Sequence, residues 1–316
     1  MTNGEKRTHS RITRVFPVGR KRRMRMKKFI IAAEDACDLP KIEVESRDIA
    51  IMPLHFVIGG EEHVAEQLGI HAFYEKLRAG ERSMTSQGNL SDYEAFWRPY
   101  LEQGQDVLHI ALSSAISGTY NNACKVAEKM KKEFPDRKVF VVDSRTASTG
   151  FGLFVTLLAD YRDAGHTVDE CYQYAMDTRL KINVIFTVDD LKTLVSTGRV
   201  KASEAFIGRM LQIKPILFIN DLGELKPFWK VVSRKVSLKF LCDRTKTKLT
   251  PDTKTIIISH GDAPADADFC VEYLKNGLDP AIDVKVWDVG PVIGSHTGPN
   301  VMIFAYVSDD RIVKPY

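Results

Sequence analysis

Residues 106–120 constrain the fold most, because they have the pattern of a strand, a tight turn and the start of a helix. The segment opens with a short apolar run that has the length of a buried strand. The run ends at Ser113-Ser114, and apolar residues then recur at helical spacing. Small hydroxyl residues before a helix direct free backbone N–H groups to one point, which suits an anion. The alternative is that Ser113, Ser117 and Thr119 only cap the helix and fill the turn.

Strand and helix patterns alternate through the first 180 residues. The strand patterns cover residues 29–33, 49–57, 107–112 and 138–142, and the helix patterns cover residues 70–77, 89–102, 149–163 and the segment after a capping box at residues 167–170. Such alternation predicts an α/β fold with a parallel sheet that helices cover on both faces. Ligands of these folds gather beyond the carboxyl ends of the strands. We therefore expect the polar loop at residues 83–88, with Thr85 and Ser86, to meet the Ser113-Ser114 turn there.

The second half has a different rhythm. Strand patterns lie at residues 184–188, 215–219, 224–231, 253–259, 283–289 and 301–307, and helix patterns at residues 190–197, 202–212, 233–246 and 265–276. A hairpin between the second and third of these strands predicts a mixed α/β domain with antiparallel pairs. We place the domain boundary near residue 180 and expect domains at residues 26–180 and 181–316.

A loop rich in glycine and proline is predicted at residues 290–299, between the last two strands. Glycines let a backbone approach a ligand closely. His296, beside Thr297, offers a hydrogen-bond donor within this loop. The alternative is a structural histidine that satisfies a backbone carbonyl.

The net charge of +4 is distributed unevenly. Residues 1–28 hold eleven Lys and Arg against one acidic residue, and the remainder holds 34 against 40, so the body is mildly acidic. The basic head could be an arm that contacts RNA or a membrane. The apolar run after Lys28 is too short for a signal peptide. We favour a start at Met24 or Met26, with residues 1–25 as an extension that is disordered or not native.

The sequence contains no signature of catalysis or metal binding that we can assemble. Its five cysteines are widely spread without a CxxC pair, which indicates reduced thiols in a soluble cytoplasmic protein. It has no G-x-S-x-G elbow, P-loop, G-x-G-x-x-G or zinc-spaced histidine pair. We therefore expect a binding protein with no cofactor, no metal and no catalytic residue. Basic residues that include Arg199, Arg234 and Lys235 form either a solvated face or a contact for a phosphorylated ligand or an acidic partner.

Several motifs in order resemble the DegV family of bacterial fatty-acid-binding proteins over nearly all of residues 26–316. These motifs are Asp38-Leu39-Pro40, Thr85-Ser86-Gln87, Ser113-Ser114-Ala115-Ile116-Ser117-Gly118-Thr119, Val142-Asp143-Ser144, Thr187-Val188-Asp189-Asp190-Leu191, Gly198-Arg199-Val200, Ile213-Lys214-Pro215-Ile216-Leu217, His260-Gly261-Asp262 and Gly290-Pro291-Val292-Ile293-Gly294-Ser295-His296-Thr297-Gly298.

The resemblance implies a two-domain DegV-type fold that holds one long-chain fatty acid in a tunnel between a parallel-sheet N-terminal domain and a mixed α/β C-terminal domain. It implies a non-enzymatic carrier that presents the carboxylate to the ATP-binding subunit of a fatty-acid kinase for phospholipid synthesis. The candidates for the carboxylate are then Thr85, Ser86, Ser113 or Ser114, and His296 with Thr297. The basic residues Arg199, Arg234 and Lys235 remain candidates for contact with a phosphate or a partner. We expect no nucleic acid, no stable membrane insertion, and a monomer or weak dimer.

The chain also departs from the family pattern. Glu34-Asp35-Ala36 stands where the family usually has Asp-Ser-Ser/Thr, Gly88 replaces a proline, and Val232 replaces an arginine. Two other functions remain open. One is an enzyme on the same scaffold that acts on a small carboxylated or phosphorylated metabolite. The other is a nucleic-acid-associated protein that uses the basic arm.

Overall fold

The computed structural model describes residues 28–189, 191–201 and 213–311. The basic extension at residues 1–25 and the helix predicted at residues 202–212 therefore lie outside the described residues. The strands are β1 (Phe29–Glu34), β2 (Ile49–Met52), β3 (His55–Ile58), β4 (Glu61–Val64), β5 (Ser83–Thr85), β6 (Asp106–Ala111), β7 (Val139–Asp143), β8 (Ile182–Thr187), β9 (Ile213–Ile219), β10 (Leu225–Val232), β11 (Thr255–His260), β12 (Asp283–Asp288) and β13 (Met302–Val307). The α-helices are α1 (Lys41–Arg47), α2 (Ile70–Arg78), α3 (Leu90–Glu102), α4 (Thr119–Glu133), α5 (Ser148–Asp163), α6 (Val168–Thr178), α7 (Lys192–Ser196), α8 (Arg234–Lys246), α9 (Pro264–Lys275) and α10 (Pro291–Thr297).

The first half forms the predicted parallel sheet, with the strand order β2-β1-β6-β7. Every residue of β1 is buried, as expected of a central strand between two parallel neighbours. Ile31 pairs with Ile49 on one side and with Leu108 on the other. Helices α3, α4, α5 and α6 pack against this sheet. The chain thus has the α/β architecture that the alternating patterns predict.

The second half forms a six-stranded mixed sheet in the order β10-β9-β8-β13-β11-β12. Only the β11–β12 pair is parallel among the pairs in this sheet. The predicted hairpin is present, because β9 and β10 pair antiparallel around a turn at Gly223. Helices α8 and α9 pack beside this sheet and cover a hydrophobic cluster that includes Phe218, Phe228 and Phe304.

Helix α5 connects the two sheets, since it contacts β1 in one and β8 and β13 in the other. Two glycines permit this close packing. A Cβ atom at Gly152 would lie 2.5 Å from the carbonyl oxygen of Cys37, and one at Gly150 would collide with Val184. No helix among the described residues is long and apolar enough to cross a bilayer.

Three local predictions were wrong. The run at residues 49–57 is two strands in different sheets, because Pro53 lacks the N–H that a continuous ladder requires. The loop predicted at residues 83–88 begins with β5, which pairs with β3 in a small antiparallel sheet. The loop predicted at residues 290–299 contains α10, whose first residue is Pro291, a favoured position for proline.

Candidate functional site

A cavity of about 290 Å³ lies between the two sheets. Its walls are largely apolar, with side chains from both halves of the molecule. The apolar lining residues are Leu54, Leu112, Ile116, Ala147, Val184, Phe186, Leu194, Ile219, Leu225, Val292, Ile293 and Ile303. The polar lining residues include Thr85, Ser86, Gln87, Ser117, Thr119, Ser148, Arg199, His296 and Thr297. The volume lies near the lower end of the range for cavities that bury small ligands.

Thr85 and His296 form the centre of the polar lining. Thr85 ends β5, His296 lies in the last turn of α10, and Thr85 Oγ1 is 2.8 Å from His296 Nε2. His296 Nδ1 is buried without a hydrogen-bond partner among the described residues. Burial lowers the pKa of His296 to about 4, and the nearby Arg199 guanidinium contributes. The imidazole is therefore neutral at physiological pH and acts through hydrogen bonds.

The start of α4 supplies a second pair of hydroxyls. Ser117 Oγ is 2.6 Å from Thr119 Oγ1, and Thr119 N–H donates to Ser117 Oγ at 3.3 Å. The Asn122 side chain donates to the Gly88 carbonyl at 3.0 Å, which ties α4 to the loop after β5. The two polar segments predicted to meet beyond the strand ends therefore do meet at the cavity.

Ser113 and Ser114 do not line the cavity, although the sequence analysis assigned them to the carboxylate. Ser113 is fully buried and its hydroxyl donates to the Gly223 carbonyl at 2.9 Å. The Ser114 hydroxyl donates to an Asp143 carboxylate oxygen at 2.6 Å. The hydroxyl residues of this turn that line the cavity are instead Ser117 and Thr119. Their position beside the helix start was the available signal.

Three further predicted residues line the cavity. Ser86 is exposed, and its backbone N–H donates to the His55 carbonyl at 3.0 Å. The Thr297 hydroxyl donates to the Ile293 carbonyl at 3.1 Å within α10. Arg199 is half-buried, and its guanidinium donates to the Thr197 carbonyl at 2.5 Å. Burial lowers the pKa of Arg199, so its side chain would gain from an anionic partner.

Arg234 and Lys235 lie on α8, and neither lines the cavity. Arg234 Nε donates to Asp266 at 2.8 Å. The Lys235 ammonium lies 5.8 Å from the centre of the Phe269 ring. Of the three basic residues that the sequence suggests for a phosphate or partner, only Arg199 is among the residues that line the cavity.

One cluster among the described residues has ligand atoms close enough for a metal ion: His71, Glu75 and Asp262. Arg78 donates to Glu75 at 2.8 Å and also to Asp262. The arginine thus already balances both carboxylates. We interpret this cluster as an ion-pair network that joins α2 to the loop after β11.

Comparison with known proteins gives consistent family and structural matches. A family model described as "Uncharacterised protein, DegV family" matches residues 28–309. A DegV domain-containing protein of Clostridium perfringens is 37% identical over 290 residues, which cover 90% of this chain and 99% of the relative.

Two solved structures of similar proteins are described as fatty-acid binding. A Thermotoga maritima protein described as revealing a fatty acid binding function has a TM-score of 0.76 at 29% identity, and the match covers 89% of this chain and 99% of that one. A DegV family protein from Thermus thermophilus, described by its fatty acid binding, has a TM-score of 0.78 at 27% identity with the same coverage of both chains. Because the family model and the curated relative each span about nine-tenths of the chain, this protein belongs to the DegV family.

Proposed function

We propose that this protein is a cytoplasmic carrier that binds one long-chain fatty acid in the cavity and presents its carboxylate to a fatty-acid kinase subunit. The observation that carries the proposal is the division of the cavity lining. Apolar side chains from both sheets form most of the wall, and hydroxyls and an imidazole cluster around Thr85 and His296. A fatty acid has the same division between tail and head group.

The hydrogen bonds around His296 favour a particular arrangement of protons. An unpartnered N–H is costlier to bury than an unpartnered acceptor, so the buried Nδ1 is better left without a proton. Nε2–H then donates to Thr85 Oγ1, and the Thr85 hydroxyl proton is free to donate to a carboxylate. Ser117 and Thr119 add one free hydroxyl donor from the start of α4, since one of these two hydroxyls donates to the other. The proposed head-group site therefore differs from the sequence assignment in using Ser117 rather than Ser113 or Ser114.

Tail burial would supply most of the affinity. At about 0.8 kcal/mol for each buried CH₂ group, a tail of about 15 carbons gives about 12 kcal/mol before the costs of association. The polar groups would then fix the position of the carboxyl group rather than dominate the binding free energy. A ligand held in this way is expected to remain bound during purification.

Arg199 suits the phosphorylated form of the ligand. It lines the cavity near His296, and an acyl phosphate carries more negative charge than a carboxylate. Arg234 and Lys235 lie elsewhere on the C-terminal half, where they suit contact with the kinase subunit.

Mass spectrometry of lipids extracted from the purified protein tests the binding proposal. We expect about one fatty acid per chain. The matched variants are Ser117→Ala, which removes a cavity hydroxyl, and Ser114→Ala, which removes a hydroxyl bound to Asp143 in the same turn. Only the first should lower occupancy. A wild-type protein that stays empty after feeding with fatty acids would favour the metabolite enzyme instead.

Presentation to a kinase is tested separately, with the loaded protein, ATP and the ATP-binding subunit of a fatty-acid kinase. Arg199→Met should retain the fatty acid and lose acyl-phosphate formation. Full acyl-phosphate formation by this variant would contradict the role of Arg199.

A further inference from the structure

Asp38 makes a contact that bridges two walls of the cavity without lining the cavity itself. One carboxylate oxygen accepts the Gly290 N–H at 2.9 Å, and the other accepts the Ser148 hydroxyl at 2.5 Å. Gly290 precedes α10, which contributes His296 to the cavity, and Ser148 is the first residue of α5. A single carboxylate from the loop after β1 therefore holds the starts of both helices.

The backbone at this contact is strained on both sides. Asp38 has φ +52° and Ser148 has φ +51°, in the left-handed region that residues other than glycine rarely adopt. Aspartate tolerates this conformation better than most residues, and serine does so less well. Such conformations persist only where the surroundings hold them, and they cluster at functional sites. The hydrogen bond between the two side chains is one contact that holds this pair, and the Asp38 N–H also donates to the Asp35 carbonyl at 3.1 Å.

The contact with Asp38 also explains why residue 290 is a glycine. Its φ of −71° is accessible to any residue, so the backbone does not require glycine. A Cβ atom at Gly290 would, however, lie 2.8 Å from the Asp38 carboxylate oxygen. The close approach of Asp38 therefore accounts for the glycine.

Helix α10 is held along its length by several contacts, which include a 2.7 Å hydrogen bond between the Ser295 and Ser83 hydroxyls. Asp38 holds its start through Gly290, and Tyr74 packs against its middle, where a Cβ atom at Gly294 would lie 2.7 Å from the tyrosine hydroxyl. His296 meets Thr85 near its end. Loss of the Asp38 contact would let the helix shift relative to α5 and Thr85, which lie on other walls of the cavity.

We propose that Asp38 is a positioning residue that clamps α5 to α10 and thereby slows release of the ligand from the cavity. This inference rests on the proposed function, since it takes the ligand to be a fatty acid. Asp38 acts through Ser148 and Gly290, because it is not among the residues that line the cavity.

The charge state of Asp38 offers a readout that a purely structural role would not give. Burial raises its pKa to about 7, and the Asp288 carboxylate contributes. The other titratable groups that interact with it are Asp35 and Cys37 on its own loop and Tyr74 on α2. A protonated carboxyl group accepts two hydrogen bonds less well than a carboxylate does. Ligand release should therefore become faster as the pH falls through about 7.

The main experiment is a double-mutant cycle on the full chain loaded with a fluorescent long-chain fatty acid, with release into excess phosphatidylcholine vesicles. Gly290→Ala should speed release at least about tenfold in the wild-type background, because the new methyl group displaces Asp38. In an Asp38→Ala background, Gly290→Ala should change the release rate less than about twofold. An equal effect of Gly290→Ala in both backgrounds would overturn the proposal. Asp38→Ser serves as the background if Asp38→Ala does not fold.

The pH profile of release gives the second readout. Asp38→Asn keeps an acceptor for Gly290 and should abolish the change in release rate near pH 7. Asp160→Asn is the matched control, because Asp160 ties α5 to Arg47 on α1 rather than across the cavity. It should release ligand with the wild-type profile. A wild-type profile in Asp38→Asn would reject the clamp. A wild-type protein that never takes up the fatty acid would reject the proposed function instead.

Discussion

Two largely buried histidines in the described part of the chain, His109 and His296, have opposite environments. His109 is fully buried in the parallel sheet, and its Nε2 lies 2.8 Å from a Glu34 carboxylate oxygen. Trp97 Nε1–H donates to His109 Nδ1 at 3.4 Å, so the ring carries its proton on Nε2. Tyr93 adds a hydroxyl donor to the same Glu34 oxygen at 2.5 Å. His296 lines the cavity and has Thr85 at Nε2, whereas its Nδ1 has no hydrogen-bond partner among the residues that the structure describes.

The difference shows what separates a binding group from a structural one here. Both sites combine an imidazole with a hydroxyl, and both are largely buried. Around His109 each nitrogen and each Glu34 oxygen has a partner, because Leu112 N–H occupies the second carboxylate oxygen at 2.9 Å. Around His296 and Thr85, hydrogen-bonding capacity is left over at two residues that line the cavity. Within this pair, unused capacity at a residue that lines the cavity, rather than residue type, separates the candidate binding group from the structural one.

The largest expected effect comes from Glu34→Gln, which should lower the free energy of unfolding by about 3 kcal/mol. The Glu34 carboxylate accepts from Tyr93, His109 and Leu112. A glutamine would turn one acceptor oxygen into an NH₂ group and place donor against donor in the core. Urea denaturation measures the change.

Glu94→Gln is the control for that variant, since Glu94 pairs with Arg98 and Lys129 at the surface. Its unfolding transition should move far less than that of Glu34→Gln. Equal shifts for the two variants would show that the Glu34 network does not stabilise the core.

How much of this contrast the sequence reveals depends on the distance between partners along the chain. The strand, turn and helix of residues 106–120 follow from local spacing, and the structure has β6 and α4 there. Which hydroxyl of the turn faces the cavity does not follow locally. Ser113 donates to the carbonyl of Gly223, which lies 110 residues away in the hairpin turn between β9 and β10, and local spacing does not show that the two segments meet.

Local sequence pattern does not identify the centre of the candidate site either. Thr85 and His296 are 211 residues apart, and only the folding of β5 and α10 against each other brings them together. Family resemblance named both residues, whereas local pattern marked each only as part of a polar loop. The Glu34 network joins residues up to 78 positions apart, and no local spacing indicated that it existed.

The second prediction compares Glu34 with its neighbour Asp35. The Asp35 carboxyl group accepts a hydrogen bond from the Leu54 N–H at 3.1 Å, and Leu54 lies outside its own turn. Burial raises the pKa of Asp35 to about 8, and the nearby carboxylates Asp38 and Glu34 contribute. The folded chain then holds a proton that the unfolded chain has lost, so stability falls as the pH rises from about 4 to about 8. Asp35→Asn removes this loss and should raise the melting temperature by roughly 5 °C at pH 8.5 and much less at pH 5.

Thermal unfolding of wild type and Asp35→Asn at both pH values tests this. An equal rise in melting temperature at pH 5 and pH 8.5 would show that the Asp35 carboxyl group does not titrate in this range.

The third prediction concerns the His296–Thr85 pair at the cavity. Thr85→Val keeps the shape of the side chain and removes the hydroxyl that meets His296. We expect affinity for a long-chain fatty acid to fall about tenfold, or about 1.4 kcal/mol, with a loss of folding stability of about 1 kcal/mol or less. Titration with a fluorescent fatty acid and urea denaturation separate the two quantities. Unchanged affinity would remove Thr85 from the proposed head-group site.

The smallest effect is expected from Thr297→Val, which alters another threonine that lines the same cavity. Its hydroxyl already donates to the Ile293 carbonyl within α10 at 3.1 Å, so it has no proton left for a ligand. Affinity should therefore stay within about twofold of the wild-type value, although Thr85→Val lowers it about tenfold. The same titration measures both variants. If Thr297→Val also lowers affinity tenfold, the hydroxyl must exchange its bond to Ile293 for one to the ligand. A hydroxyl that already has a protein partner would then be as available to the ligand as one without, and unused hydrogen-bonding capacity would no longer distinguish Thr85 and His296 from the Glu34 network.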